Sequence, residues 1–146
     1  MQTVLVVVHP GSALGSADFN LGKFEARAAR DQLAQELETW EGPLLVIHGQ
    51  LSEDLPDYPR LHQAIEGAVA RNKAAGFAAD QVRGCDEEEH NQEAAAEAWV
   101  SSLAWNSQET EFEVSGAWYH PEDGSGCVGG VIEHLKQLGY SAHVSP

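Results

Sequence analysis

Three short apolar segments of the chain each end in a histidine followed by a turn-forming residue. These histidines are His9, His48 and His120. Because apolar, β-branched segments of this length are typical of buried parallel strands, we expect the three imidazoles to lie along one edge of a sheet. Ligands of open α/β sheets bind at that carboxyl edge. An imidazole is suited there to proton transfer or to metal binding.

Cys127 is the residue best suited to nucleophilic chemistry. It follows Gly126 in a glycine-rich turn between a predicted strand and an amphipathic helix. In the first turn of a helix, backbone N–H groups and the helix dipole stabilise a thiolate and lower the pKa of a cysteine. Free glycine amides also suit the binding of an oxyanion. The alternative is a small, inert cysteine at a tight strand–helix junction.

A thiol hydrolase site can be assembled from these residues. Cys127 is the predicted nucleophile, and His9 or His120 takes its proton. The reaction class is hydrolysis of an amide, ester or similar bond in a small molecule. A carboxylate is expected to orient the imidazole, and the candidates are Asp18, Glu122 and Asp123.

The substrate is expected to meet two segments near this edge. A Gly/Ser loop follows the first strand, but it lacks the GxxxxGK[ST] and GxGxxG patterns of nucleotide sites, and Asp18 in it repels phosphate. The aromatic pair beside His120 is suited to form a pocket wall. The predicted substrate-binding residues are Ser12, Ser16, His48, Trp118, Tyr119 and Gly126.

A metal site is the second hypothesis, although no cofactor is the primary prediction. Imidazoles, thiols and carboxylates are ligands for zinc or iron. The sequence has no HExxH motif and no paired CxxC spacing. Strand-end histidines also occur as residues that bond loop carbonyls. The candidate metal ligands are His9, His48 and His120, with Cys85, Asp86 or Cys127.

Length and charge limit the other functions. The chain has 146 residues, which fits a single domain over 1–146, and a formal charge of −15 from 23 acidic and 8 basic residues. Such a charge repels nucleic-acid and membrane phosphates. The longest apolar run, 4–8, is too short to cross a bilayer, and no basic segment precedes it. With two cysteines and no disulfide pattern, a cytoplasmic protein is expected.

The elements alternate as βαβαβαβαβ, which is typical of a three-layer α/β fold with a parallel sheet of about five strands and helices on both faces. Strand order 3-2-1-4-5 is the prediction, with 2-1-3-4-5 as the alternative. The strands are predicted at 3–8, 44–47, 77–84, 111–118 and 140–144. The helices are predicted at 21–40, from Pro59 to a C-cap at Gly76, from Asp86 to Leu103, and over 127–138.

Residues 112–145 run from a predicted strand through Cys127-Val128 at a helix start to Gly139-Tyr140 before the next strand. This order resembles the cysteine-containing block of isochorismatase-like cysteine hydrolases. The resemblance implies a parallel sheet flanked by helices and thiol-dependent hydrolysis of a small molecule. In that family the cysteine works with an Asp at the end of strand one and a Lys near the end of strand three. His9 and Arg83 stand at those positions here.

The preferred hypothesis is therefore a thiol-dependent hydrolase of a small molecule with a rewired site. A metal-dependent hydrolase that uses the strand-end histidines is one alternative. A non-catalytic binding or interaction protein with a degenerate hydrolase fold is the other. No nucleic-acid or membrane partner is expected, and the analogy with truncated domains that have exposed sheet edges suggests a homodimer.

Overall fold

The computed structural model describes residues 1–10, 23–49, 59–84, 91–116, 119 and 122–145, and over 23–30 it describes the backbone alone. The strands are β1 (Gln2–Val8), β2 (Leu44–His48), β3 (Ala79–Arg83), β4 (Thr110–Gly116) and β5 (Ser141–Val144). The helices are α1 (Lys23–Thr39), α2 (Pro59–Ala74), α3 (Gln92–Ser101) and α4 (Gly126–Gln137).

The five described strands form one parallel sheet in the order β3-β2-β1-β4-β5. This confirms the predicted fold class and strand order. At the carboxyl end of β1, Val8 pairs with Ile47 of β2 on one side and with Gly116 of β4 on the other. The segments that follow β1, β2 and β4 therefore leave the sheet side by side.

Side chains of the central strand alternate between two cores. Val4, Val6 and Val8 pack with α3 and α4 on one face, and Leu5 and Val7 pack with α1 and α2 on the other. All five are completely buried. Because both faces of a central parallel strand are covered by helices, the strand reads as a continuous apolar run in the sequence.

Strand β4 alternates differently, because one of its faces is polar. Phe112 and Val114 are fully buried in the α3/α4 core, whereas Glu111 and Glu113 are only half-buried. Near this polar face, the Ser145 hydroxyl donates a 2.8 Å hydrogen bond to Oε1 of Glu36 on α1. Burial is the main cause that raises the pKa of Glu36, and Glu113 raises it further, while the bond from Ser145 lowers it.

We expect Glu36→Gln to raise the melting temperature at pH 7. The pKa of Glu36 in the folded protein lies above its ordinary value of 4.5, so the ionised carboxylate destabilises the fold at neutral pH. Below pH 4.5 the carboxyl is protonated in both states, and the difference between variant and wild type should shrink. Thermal unfolding between pH 4 and pH 7 measures this, with the exposed Glu133→Gln as control. An equal change in both variants would contradict the prediction.

Helix α3 begins at Gln92 with Asn91 as its N-cap, and the predicted start at Asp86 lies outside the described residues. The C-cap prediction is confirmed at Gly76, which has a φ of 88° just after α2. No helix in the described ranges is long and apolar enough to cross a membrane.

Candidate functional site

The carboxyl ends of β1 and β4 bring two predicted site segments to one edge of the sheet. His9 directly follows Val8, whose partner on β4 is Gly116. The chain that leaves Gly116 leads into α4, so the first turn of α4, with Cys127, starts at this same edge. Neighbouring parallel strands with their connections are the arrangement in which α/β proteins build sites.

His9 has an unusual backbone. Its φ is 49°, and it is the one non-glycine residue with a positive φ in the described part of the chain. Its side chain is 3% exposed, and its backbone N–H donates to the Ile47 carbonyl at 2.7 Å. A left-handed backbone costs an L-residue about 1–2 kcal/mol. Such residues persist where the surroundings hold them, and they cluster at functional sites.

Gly49 makes the position of the His9 ring compatible with the end of β2. A Cβ on Gly49 would lie 3.1 Å from Cδ2 and 3.2 Å from Cγ of His9. Distances of this kind are tighter than those of nearly all real side chains, so a residue larger than glycine here would push the imidazole. The ring is thus held at the junction between the ends of β1 and β2.

His48 takes a different role from His9. It is the half-buried last residue of β2, and its Nε2 lies 2.8 Å from Oε1 of Gln81, so the imidazole N–H donates to this amide oxygen on β3. Among the described residues, no group of three or more His, Cys, Asp or Glu side chains is placed to hold a metal ion. The third histidine of the metal hypothesis, His120, lies outside them.

Cys127 is the second residue of α4, half-buried and in the thiol form. It packs against the core between the sheet and the helices α3 and α4. Ser125 is the N-cap, and its side chain makes no capping hydrogen bond to α4, all of which is described. The N–H groups and the dipole at the start of a helix favour a negative charge on the sulfur.

The turn before α4 is shaped by short-range contacts. The Ser125 backbone N–H donates to Oδ1 of Asp123 at 3.0 Å, which gives Asp123 a structural role in the turn. Gly126 has a φ of 98°. Gly129 packs so closely on the Gly124 carbonyl that a Cβ there would collide with it. The glycines that the sequence offered as amide donors thus also allow the turn to fold onto the helix.

The remaining predicted residues divide by whether the structure describes them. Tyr119 is half-buried and packs against the same core as Cys127. Arg83, at the end of β3, is exposed. The predicted site residues that lie outside the described residues are Asp18, Ser12, Ser16, Trp118 and His120, together with the candidate metal ligands Cys85 and Asp86.

Gln92 is a buried polar residue that the sequence reasoning missed. It is the first residue of α3 and is 3% exposed. Its Nε2 donates to Oε1 of Glu93 at 3.1 Å, whereas its Oε1 has no hydrogen-bond partner among the described residues. The sequence does contain a pattern that indicates this burial. Gln92 shares helical spacing with the apolar Ala96 and Trp99 and so belongs to the buried side of α3.

Comparisons of the chain with protein-family models, with curated proteins and with solved structures find no match.

Proposed function

We propose that this protein is a thiol-dependent hydrolase that cleaves an amide- or ester-type bond of a small molecule at the carboxyl edge of its sheet. The observation that carries the proposal is the pairing of β1 with β4. This pairing puts the buried, left-handed His9 and the first turn of the Cys127 helix at the same edge.

The chemistry needs a thiolate and a proton carrier. The start of α4 favours a thiolate on Cys127 through its N–H groups and dipole. An imidazole accepts and returns protons near neutral pH, and we assign this role to His9, with His120 as the alternative carrier. The buried ring and the constrained backbone of His9 suit a residue whose position must be kept.

The reaction proceeds in two steps. The Cys127 thiolate attacks the carbonyl carbon, the C–S bond forms, and the C–N or C–O bond breaks as the leaving group takes the proton from the imidazolium. Water then attacks the thioester carbon and gives a proton to the imidazole. The C–S bond breaks, and the acid and the thiolate are released. First-turn amides of α4 are suited to bind the oxyanion of both steps.

The resemblance to isochorismatase-like cysteine hydrolases supports this proposal through the arrangement of elements. A strand, a glycine-rich turn and a cysteine at a helix start occur here in the same order. His9 takes the place of the family's aspartate at the end of the first strand. The family's lysine has only the exposed Arg83 as a counterpart.

The two alternatives have less support. His48 is hydrogen-bonded to Gln81, which directs one of its two ring nitrogens to β3 rather than to a metal. A purely binding role gives no reason for a histidine with a left-handed backbone at the same edge of the sheet as a cysteine at a helix start. We propose a cytoplasmic location, because a reducing compartment keeps cysteines in the thiol form. A homodimer is part of the same proposal, since β3 and β5 lie at the edges of the sheet.

The pH dependence of thiol alkylation tests the activation of Cys127. In a Cys85→Ser background, we expect the rate of reaction with iodoacetamide to reach half its maximum below about pH 8.5, the ordinary pKa of a thiol. The helix start lowers the pKa, so reactivity should persist as the pH falls. The rate measured between pH 5 and pH 10 gives the midpoint directly.

The matched control places a thiol at the opposite end of a helix. Ser101 is the exposed last residue of α3. A Ser101→Cys substitution in a protein without Cys85 and Cys127 should titrate at or above the ordinary value, since the dipole has the opposite sign there. Equal midpoints for the two thiols would remove the basis of the proposed mechanism.

A further inference from the structure

The first turn of α3 lies next to the second turn of α4, near the edge where the site is proposed. The Oε1 of Glu93, on the first turn of α3, is the nearest atom to the place where a Cβ of Gly130 would stand. Further along the same helices, Nε2 of His134 lies 2.9 Å from Oε2 of Glu97. Residue 93 thus lies at residue 130, and residue 97 lies at residue 134. Because both numbers rise together, the two helices run parallel, and both N-termini lie at the carboxyl edge.

Gln92 lies where the start of α3, the end of β3 and the second turn of α4 meet. Its Cα is 3.2 Å from the position of a Cβ on Gly84, just beyond the end of β3. Its Nε2 is 3.9 Å from the position of a Cβ on Gly130. Gly130 lies three residues after Cys127 on α4, and residues with this spacing are neighbours on a helix surface. The amide therefore lies against the part of α4 that carries the thiol.

The oxygen of this amide is buried without a donor among the described residues. A buried carbonyl that has lost its water bond and gained no other destabilises a protein, and native structures contain few of them. The side chains of the N-cap residues Asn91 and Ser125 make no capping hydrogen bond. The unpartnered amide oxygen thus belongs to the first residue of α3, and its side chain lies against the second turn of α4.

We propose that Gln92 is a specificity-determining residue whose Oε1 accepts a hydrogen bond from an N–H or O–H group beside the carbonyl group of the bound molecule. This inference rests on the proposed function, because it takes the thiol of Cys127 as the reacting group. The site selects molecules that carry a donor at this place, since a molecule without one leaves the buried oxygen unpaired.

Two alkylating reagents that differ in this donor test the inference. Iodoacetamide carries N–H groups beside its carbonyl, and methyl iodoacetate has an ester oxygen there. Both react by the same step, in which the thiolate forms a C–S bond as iodide leaves. In the Cys85→Ser background, the rate constant for iodoacetamide is divided by the rate constant for methyl iodoacetate. This ratio is then divided by the same ratio measured for glutathione.

We expect this normalised ratio to be about fivefold in favour of iodoacetamide in the wild-type site, which corresponds to one hydrogen bond. Gln92→Met should reduce it to about one. Gln137→Met, the same substitution at an exposed residue of α4, should leave it unchanged. If Gln92→Met does not fold, Gln92→Ala removes the same oxygen and is read in the same way.

The outcomes separate this inference from the proposed function. Fast alkylation of Cys127 by both reagents with no preference for iodoacetamide, or a preference that survives the loss of Gln92, would overturn the inference and leave the thiol mechanism intact. Slow alkylation by both reagents with an ordinary midpoint would overturn the proposed function. A preference that disappears only with the Gln92 substitutions supports both.

Discussion

Replacing Cys127 by serine is expected to abolish hydrolysis. A hydroxyl in the first turn of α4 is a far weaker acid than a thiol, so the favourable environment of the helix start no longer yields an anionic nucleophile. We expect the rate to fall by at least about 10³-fold, as for the loss of other catalytic nucleophiles. Release of 4-nitrophenolate from 4-nitrophenyl acetate measures both the initial burst and the steady rate.

The burst adds information that the steady rate lacks. Its amplitude should equal the amount of active thiol in the wild-type protein, because the thioester forms before water releases it. Cys85→Ser should retain burst and steady rate, since the mechanism assigns that thiol no role. A Cys127→Ser protein that keeps its turnover would show that hydrolysis takes place elsewhere on the molecule.

Among substitutions that add one methyl group at the carboxyl edge of the sheet, Gly116→Ala is expected to destabilise the protein most. Gly116 has a φ of 120° and pairs with Val8 across the centre of the sheet. A Cβ there would collide with the Val8 carbonyl oxygen and lie 2.6 Å from its nitrogen. The colliding atoms belong to backbone, so β1 and β4 must separate. Strain in the backbone together with overpacking should cost about 3 kcal/mol or more in the free energy of unfolding.

A second glycine isolates the steric part of this effect. Gly76 also has a positive φ, of 88°, but a Cβ there would meet no atom within 4 Å. Gly76→Ala should therefore cost only the backbone strain of about 1–2 kcal/mol. Urea unfolding of the two variants gives the comparison. Equal losses of unfolding free energy in the two variants would mean that β1 and β4 accommodate the methyl group. The close approach of these strands would then not be what keeps the carboxyl edge in place.

The predictability of this fold follows from local patterns. Strand β1 is apolar at every position from Val4 to Val8, which marks a strand covered on both faces. The alternation of glutamates with Phe112 and Val114 marks β4 as a strand with one polar face. Right-handed crossovers restrict the strand orders open to such elements, and the predicted order is the one observed.

Of the candidate site, the sequence predicted only the edge of the sheet at which it lies. That His9 and the Cys127 helix share the carboxyl edge follows from strand order alone. The direction of each imidazole does not follow from it, because contacts with residues distant in the chain decide it. His48 bonds to Gln81, 33 residues away, and the His9 ring lies against Gly49, 40 residues away.

The sequence by itself determined the alternation of strands and helices, the edge where ligands are expected and the cysteine at a helix start, since each depends on near neighbours in the chain. Tertiary structure decided the left-handed backbone of His9 and the burial of Gln92 beside Gly84 and Gly130. These features arise where separate elements meet, and the space left by a glycine on one element is visible only when its neighbour is in place.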